Sequence, residues 1–168
     1  MFFLYKLAFV LFYFVLSPFI SILLHVRVIL LWSIFFGNNY IKSKGGSCRV
    51  YPAPFAVKLR EKCKTIVEPD ISVICDKNKL TDRGCTGAPD WIIEIVSPSN
   101  SSHDYILKLN LYANAGVREY WIADPYKERI FVYRLEQEHF EVETYTFHDR
   151  VPVGIYEDLQ IDFASLDF

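Results

Sequence analysis

The chain predicts a mixed α/β (α+β) domain from the pattern of its apolar runs and one helical stretch. Short apolar runs rich in Val, Ile and aromatic residues recur between residues 48 and 147, punctuated by Gly, Pro, Asn and Asp. One longer stretch, 101–115, carries helix signals instead, and it falls between two such runs. A single long helix among strands argues against a doubly wound sheet. At 168 residues the chain is one domain by length, with enough apolar residues for a real core.

The elements follow in order. Residues 38–44 read as the end of a helix, closed by Gly45-Gly46, which suit a left-handed cap. Residues 48–59 read as a strand, with Pro52 and Pro54 confining part of it to an edge or bend. Residues 71–75 form a short apolar strand, and 76–89 read as a polar loop carrying Gly84 and Gly87. Trp91-Ile92-Ile93-Glu94-Ile95-Val96 is a second strand of buried type. Ser97-Pro98-Ser99-Asn100 then punctuates the chain, and Ser101 with Asp104 resembles a capping box. The helix that starts there runs to about residue 115 and stops at Gly116. Strands are expected at 119–123, 129–135 and the alternating 140–147. No internal repeat is present.

Residues 1–36 are of another kind, almost wholly apolar. Residues 7–24 carry no charge, an 18-residue run at the threshold for a membrane span. Lys6 before it and Arg27 after it give little orientation bias, and no small-residue cleavage site marks a signal peptide. The chain therefore divides into an atypical hydrophobic segment, 1–37, and an ordinary globular part, 38–168. The segment has three readings: a membrane anchor, a buried helix of the core, or a degraded or out-of-frame start to the coding sequence. Resequencing the gene discriminates the last, since an intact alternative frame would have to be found.

Charge and cysteine content bound the function. Eighteen Lys and Arg against twenty Asp and Glu give −2, so no global basic field marks a non-specific nucleic-acid coat protein. A nuclease is not excluded, because metals and local lysines can hold phosphates. Cys48, Cys63, Cys75 and Cys85 form no C-x-x-C pair, which predicts reduced cysteines in a cytoplasmic protein rather than a zinc site. The four histidines show no ligand spacing either.

Three residues carry the chemistry. Glu94 sits in the middle of an apolar strand, and an ionised group is rarely buried without a partner. Asp70, in V-E-P-D-I-S-V, begins a neighbouring apolar strand. Lys108 lies on the helix, sharing a face with Asp104 at i−4 and Tyr112 at i+4. Two carboxylates on adjacent strands can share one Mg²⁺ or Mn²⁺, both hard ions that prefer oxygen ligands. Such an ion neutralises phosphate charge and lowers the pKa of an attacking water, and a nearby lysine stabilises developing negative charge. Each residue also has a plainer reading. Asp70 after Pro69 can simply end a turn, Lys108 can be a solvated helix lysine paired with Asp104, and Glu94 can be an edge-strand or salt-bridged glutamate. Asp90 reads as a loop or strand-entry residue.

Several motifs resemble the Uma-two family of restriction endonucleases, part of the PD-(D/E)xK nuclease superfamily. They are N-Y-I-K-S-K-G-G-S-C-R-V-Y-P-A-P-F-A-V-K-L (39–59), E-P-D-I-S-V-I-C-D (68–76) and G-A-P-D-W-I-I-E-I-V-S-P-S-N (87–100). D-Y-I-L-K-L-N-L-Y-A-N-A-G-V-R-E-Y-W-I-A-D-P (104–125) and V-P-V-G-I-Y (151–156) complete the set. The resemblance implies a restriction-endonuclease-like fold, a mixed β-sheet flanked by helices, with a divalent metal, DNA as partner, and a homodimer by analogy with nucleases that cut both strands. It assigns Asp70 and Glu94 as metal carboxylates. Val96 stands where the superfamily lysine is expected, so that role passes to Lys108. Tyr112, Asp104 and the segment Glu119-Tyr120-Trp121 match positions that frame the site. The resemblance also implies an upstream glutamate, in a segment like R-Y-E-L-I-D-G, and residues 1–37 contain no acidic residue at all.

The expected function is thus hydrolysis of DNA phosphodiester bonds by a Mg²⁺-dependent endonuclease. Two other readings are a catalytically impaired relic of the fold and a binding domain anchored to the membrane through residues 7–24.

Overall fold

Alternation decides the architecture. In the computed structural model, which describes residues 39–62, 64–97, 102–136 and 141–165, the strands build a six-stranded sheet with helices and a smaller sheet against it. The first part comprises a short helical turn α1 (Ile41–Ser43), then β1 (Arg49–Pro52), β2 (Val57–Lys58), β3 (Ile66–Val67) and β4 (Ile71–Ile74). β5 (Leu80–Thr81), β6 (Gly84–Thr86), β7 (Trp91–Ile95) and the long helix α2 (Ser102–Ala115) follow. After them come β8 (Glu119–Asp124), β9 (Arg129–Arg134), β10 (Glu141–Thr146), β11 (Arg150–Pro152) and β12 (Gln160–Asp162).

The main sheet runs β1-β4-β7-β8-β9-β10. β7 and β8 pair in parallel, joined through α2, and the other neighbours pair antiparallel. All of β4, β7 and β8 is buried, as expected of central strands covered on both faces. Because side chains alternate, the two faces build two cores. Trp91, Ile93, Ile95 and Trp121 join Val151, Ile161 and Phe163 on one face. Ile74, Ile92, Tyr120 and Ile122 join Tyr105 and Tyr112 of α2 on the other. The small sheet, β3-β2-β6-β5, packs on this second face through Val57, Leu59 and Cys85.

The long helix and the longer strands fall within a residue or so of the ranges expected, and four points need correction. Residues 76–89 are not a plain loop: Lys77–Lys79 is a 3-10 turn, and β5 and β6 form a hairpin completing the small sheet. Their runs are too short for periodicity to register. The strand expected over 48–59 breaks into β1 and β2 around the cis peptide bond before Pro54, with Tyr51 stacked on Phe55 across the bend. β11 and β12, each three residues long, carry no pattern the sequence displays. The cysteines are not all reduced: Cys48 and Cys75 form a disulfide. The cause is register. Arg49 pairs with Ile74, so the next residues outward, Cys48 and Cys75, meet across the β1–β4 ladder. Cys85 is free and buried.

The left-handed Gly45, at φ 63°, ends α1 as expected, and Gly116, at φ 93°, follows α2. Ser101, expected to cap α2, lies outside the described residues, as do the candidate membrane run at 7–24 and the whole segment 1–37. Among the described residues no helix is long and apolar enough to cross a membrane.

Candidate active site

β4 and β7 bring the two expected carboxylates together. Ile71 pairs with Ile93 and Ser72 with Ile92; continued by one residue, this antiparallel register sets Asp70 opposite Glu94. Alternation puts both on the face that carries Ile74 and Ile92, the face covered by α2 and the small sheet. Directly opposed side chains have Cβ atoms about 4.5–5.5 Å apart. The backbone N–H of Ile95 donates to Asp70 Oδ2 at 2.7 Å, and Ala53 N–H donates to the Asp70 carbonyl, so the aspartate is fixed at the strand entrance. It does more than end a turn.

Glu94 is 4% exposed, with a partner on each oxygen. Lys108 Nζ lies 3.1 Å from Oε2, and the Tyr112 hydroxyl donates to Oε1 at 2.7 Å. Lys108 also reaches Asp104 at 3.6 Å, the i,i+4 pair expected from the helix. All three expected site residues therefore converge, with Asp104 and Tyr112 beside them. Spacing along α2 explains it: residues 104, 108 and 112 repeat every four residues, on one face of a 3.6-residue helix.

Opposing electrostatic effects meet at this pair. Burial pushes the Glu94 carboxyl above its ordinary range; Lys108 and the Tyr112 hydroxyl pull it back, and Asp70 pushes it up again. Burial works against the Lys108 charge, but Glu94, Asp104 and Asp70 outweigh it, so the ammonium holds its proton more tightly than usual. A base is therefore not what this lysine supplies at neutral pH. Tyr112 is raised far above its ordinary value by burial and by Glu94, and stays a neutral donor. Two facing carboxylates beside one lysine leave negative charge in a low-dielectric niche, which a hard cation would relieve.

One buried polar atom on this face has no place among the sequence expectations. Ser72, fully buried, carries a hydroxyl with no hydrogen-bond partner among the described residues. It lies two positions along β4 from Asp70 and opposite Ile92, so it points to the Glu94 side of the sheet. The i+2 spacing from Asp70 is the signal that could have found it. The donor set of Asp70 and Glu94, with an orphaned hydroxyl close by, fits an oxygen-seeking divalent ion held partly by water or substrate. Among the described residues no group of three or more His, Cys, Asp or Glu side chains assembles, so the pair stands there without a third such ligand.

Other buried acids have structural work. Asp90 stands at the entry to β7, as expected; it accepts the Cys75 N–H at 2.7 Å and faces Arg118 at 3.5 Å, bracing β4 against the start of β8. Asp124 accepts the N–H groups of Tyr126 and Lys127 in the β8–β9 turn.

The sequence matches the Uma2 family, described as "Putative restriction endonuclease", over residues 24–164. The chain belongs to the Uma2 family. Among solved structures, a protein from Anabaena variabilis described as a putative nuclease belonging to DUF820 superposes with a TM-score of 0.68. At 24% identity the match covers 84% of this chain and 79% of that one, and the likeness establishes a shared nuclease-like mixed α+β fold. No curated protein matches the chain.

Proposed function

We propose that this Uma2 protein is a metal-dependent endodeoxyribonuclease whose site is Asp70, Glu94 and Lys108. The observation that carries the reading is the β4–β7 register, which continued by one residue sets Asp70 opposite Glu94 on one face, with Lys108 Nζ 3.1 Å from the glutamate. Asp70 and Glu94 would hold Mg²⁺ or Mn²⁺, since magnesium commonly binds through one or two carboxylates plus substrate phosphates. When bound, the ion would supply charge neutralisation at the scissile phosphate and a water of lowered pKa.

The chain's own groups do the rest. Tyr112 and Lys108 fix the two Glu94 oxygens, so the carboxylate presents a set orientation. Lys108 has three N–H donors. Glu94 engages one at 3.1 Å, Asp104 stands at ion-pair distance, 3.6 Å, and the remaining donors are left for a phosphate oxygen or the attacking water. Its raised pKa keeps it cationic, suited to stabilising the negative charge that develops on the phosphate oxygens of a five-coordinate transition state. In this reading residues 38–168 are the nuclease domain, and DNA is the partner.

The test is nicking of supercoiled plasmid with Mg²⁺ or Mn²⁺. Activity that vanishes in Glu94→Ala supports the proposal, and Lys108→Ala should abolish cleavage while leaving fold and Mn²⁺ binding largely intact. Full activity in Lys108→Ala would remove the lysine from the mechanism. A second reading, a relic that binds metal without cutting, is favoured by the two-carboxylate donor set and by the lack of any acid in residues 1–37. Mn²⁺ binding by the wild-type protein with no cleavage would select it.

A further inference from the structure

The distribution of unpaired cations over the fold is uneven. On the main sheet and α2, lysines and arginines are mostly committed: Lys108 to Glu94, Arg118 to Asp90 and Glu136, Arg134 to Glu143, Arg150 to Asp162. On the small sheet they are not. Lys58, Arg60, Lys62 and Lys64 fall within eleven residues, 57–67, against the single acid Glu61, in a chain whose net charge is −2. Arg83 adds a fifth in the turn of the neighbouring β5–β6 hairpin. None of the five has an ion-pair partner among the described residues, and Arg60, Lys62, Lys64 and Arg83 are exposed.

A short stretch of chain ties the hairpin to the carboxylate pair. β3 ends at Val67, three residues before Asp70, and the six residues from Lys64 to Asp70 span at most about 22 Å. Small sheet and α2 pack on the same face of the main sheet, the face that Asp70 and Glu94 share. Between the two hairpins lies a groove of about 500 Å³ with Lys58, Thr81, Arg83 and Thr86 on its walls and Asp82 among them. A DNA duplex offers a phosphate charge every 1.7 Å or so, so a duplex running from Asp70 toward the hairpin would set several phosphates beside these cations.

We propose that the β2–β3 hairpin, with Arg83 beside it, is a docking wing that grips the phosphate backbone of duplex DNA flanking the cleavage point. The inference rests on the nuclease reading above and adds where the substrate is held. Its chemistry is backbone contact without base reading: long cationic side chains on a short hairpin, with no helix presented to a groove. The surface also explains how an acidic protein approaches a polyanion, since the positive potential is local. Lysines on an edge strand can instead serve to block edge-to-edge pairing, and β3 is an edge. The two roles part in their salt dependence.

The experiment measures binding of a fluorescent 30-base-pair duplex by anisotropy, using the full chain with Ca²⁺ in place of Mg²⁺, at about 50–200 mM KCl. Each lost phosphate contact lowers the slope of log K against log[salt] by about 0.9, so Arg60→Gln/Lys62→Gln/Lys64→Gln should lower it by about 2.7. Arg49→Gln/Lys77→Gln removes two exposed, unpaired cations beyond the other end of β4, and should change the slope by less than one contact. An unchanged slope in the hairpin variant, or an equal loss per charge in the distal one, overturns the wing. Hydrolysis of bis(p-nitrophenyl) phosphate by the wild-type protein separates the two failures. Wild-type protein that splits the diester while the hairpin variant keeps its slope refutes the wing alone. Wild-type protein that neither binds duplex nor splits the diester refutes the nuclease reading, and the wing with it.

Discussion

Two buried glutamates, on neighbouring strands but opposite faces of the main sheet, differ in what surrounds them, and the difference bears on which of them can take a ligand. Glu94 on β7 is 4% exposed and Glu119 on β8 is 1% exposed, and burial raises both above the ordinary carboxyl range. Glu119 is enclosed by buried donors of the sheet and of the 153–156 segment. Trp121 Nε1 donates at 2.6 Å and Ile155 N–H at 3.0 Å, tying the 153–156 segment to the sheet. Gly154 is packed so closely that a Cβ there would stand 3.0 Å from Glu119 Oε2. Glu94 instead has a lysine with 27% of its side chain exposed and a second carboxylate facing it across the ladder. Burial alone does not distinguish them. A like charge at the site does, because it leaves something for a ligand to neutralise.

The largest stability effect should fall on the structural member. Glu119→Ala strands the Trp121 and Ile155 donors in the core and opens a cavity, costing about 3 kcal/mol or more in urea denaturation. Glu94→Gln keeps its volume and removes the repulsion with Asp70, so its stability without metal should stay within about 1 kcal/mol of wild type. If the two rank the other way, the division of roles is mistaken.

Metal should sharpen the same contrast. A ligand that binds only the folded state at a hundred times its Kd stabilises by about 2.7 kcal/mol, so Mn²⁺ should raise the melting temperature of the wild-type protein by several degrees. The rise should disappear in Glu94→Gln and persist in Glu119→Gln. A rise that survives in Glu94→Gln places the ion elsewhere.

The pH dependence of Glu119 follows from its raised carboxyl, with burial the leading cause and the Gly154, Trp121 and Ile155 donors opposing it. A carboxyl with a raised folded pKa contributes its full stability below the ordinary value of 4.5, and loses that contribution as pH climbs through the folded value. The stability of wild type relative to Glu119→Gln should therefore decline as pH rises above 4.5, with a limiting slope of about 1.4 kcal/mol per pH unit. A difference that widens with pH would mean that the fixed donors outweigh burial.

How much of this was legible in the sequence depended on periodicity. Glu94 announced itself as a charge in Trp91–Ile95, and the repeat of Asp104, Lys108 and Tyr112 placed the lysine on one helical face. The pairing of Asp70 with Glu94 needed the β4–β7 register, which no local pattern encodes. The strands β5, β6, β11 and β12 were invisible because two or three residues cannot establish alternation. The basic hairpin was hidden for a different reason: a net charge of −2 averages over the chain, while the β2–β3 hairpin concentrates its cations in one place.

The smallest expected effect tests how finely Glu94 is held. Tyr112 is fully buried, packs edge-on against Tyr120 with ring centroids 5.0 Å apart, and donates its hydroxyl to Oε1 at 2.7 Å. Tyr112→Phe keeps the ring and its packing and removes only that donor, so the fold should lose no more than about 1.5 kcal/mol. With Lys108 still on Oε2, Glu94 stays in place but is free to rotate its other oxygen, and cleavage should fall about tenfold, equivalent to about 1.4 kcal/mol. The readout that separates orientation from packing is the metal: half-maximal Mg²⁺ for cleavage should rise in Tyr112→Phe and not in Tyr120→Phe. Tyr120 loses a hydroxyl that has no hydrogen-bond partner among the described residues. If both variants shift the Mg²⁺ requirement alike, the tyrosine pair acts through core packing and Tyr112 does not position the carboxylate.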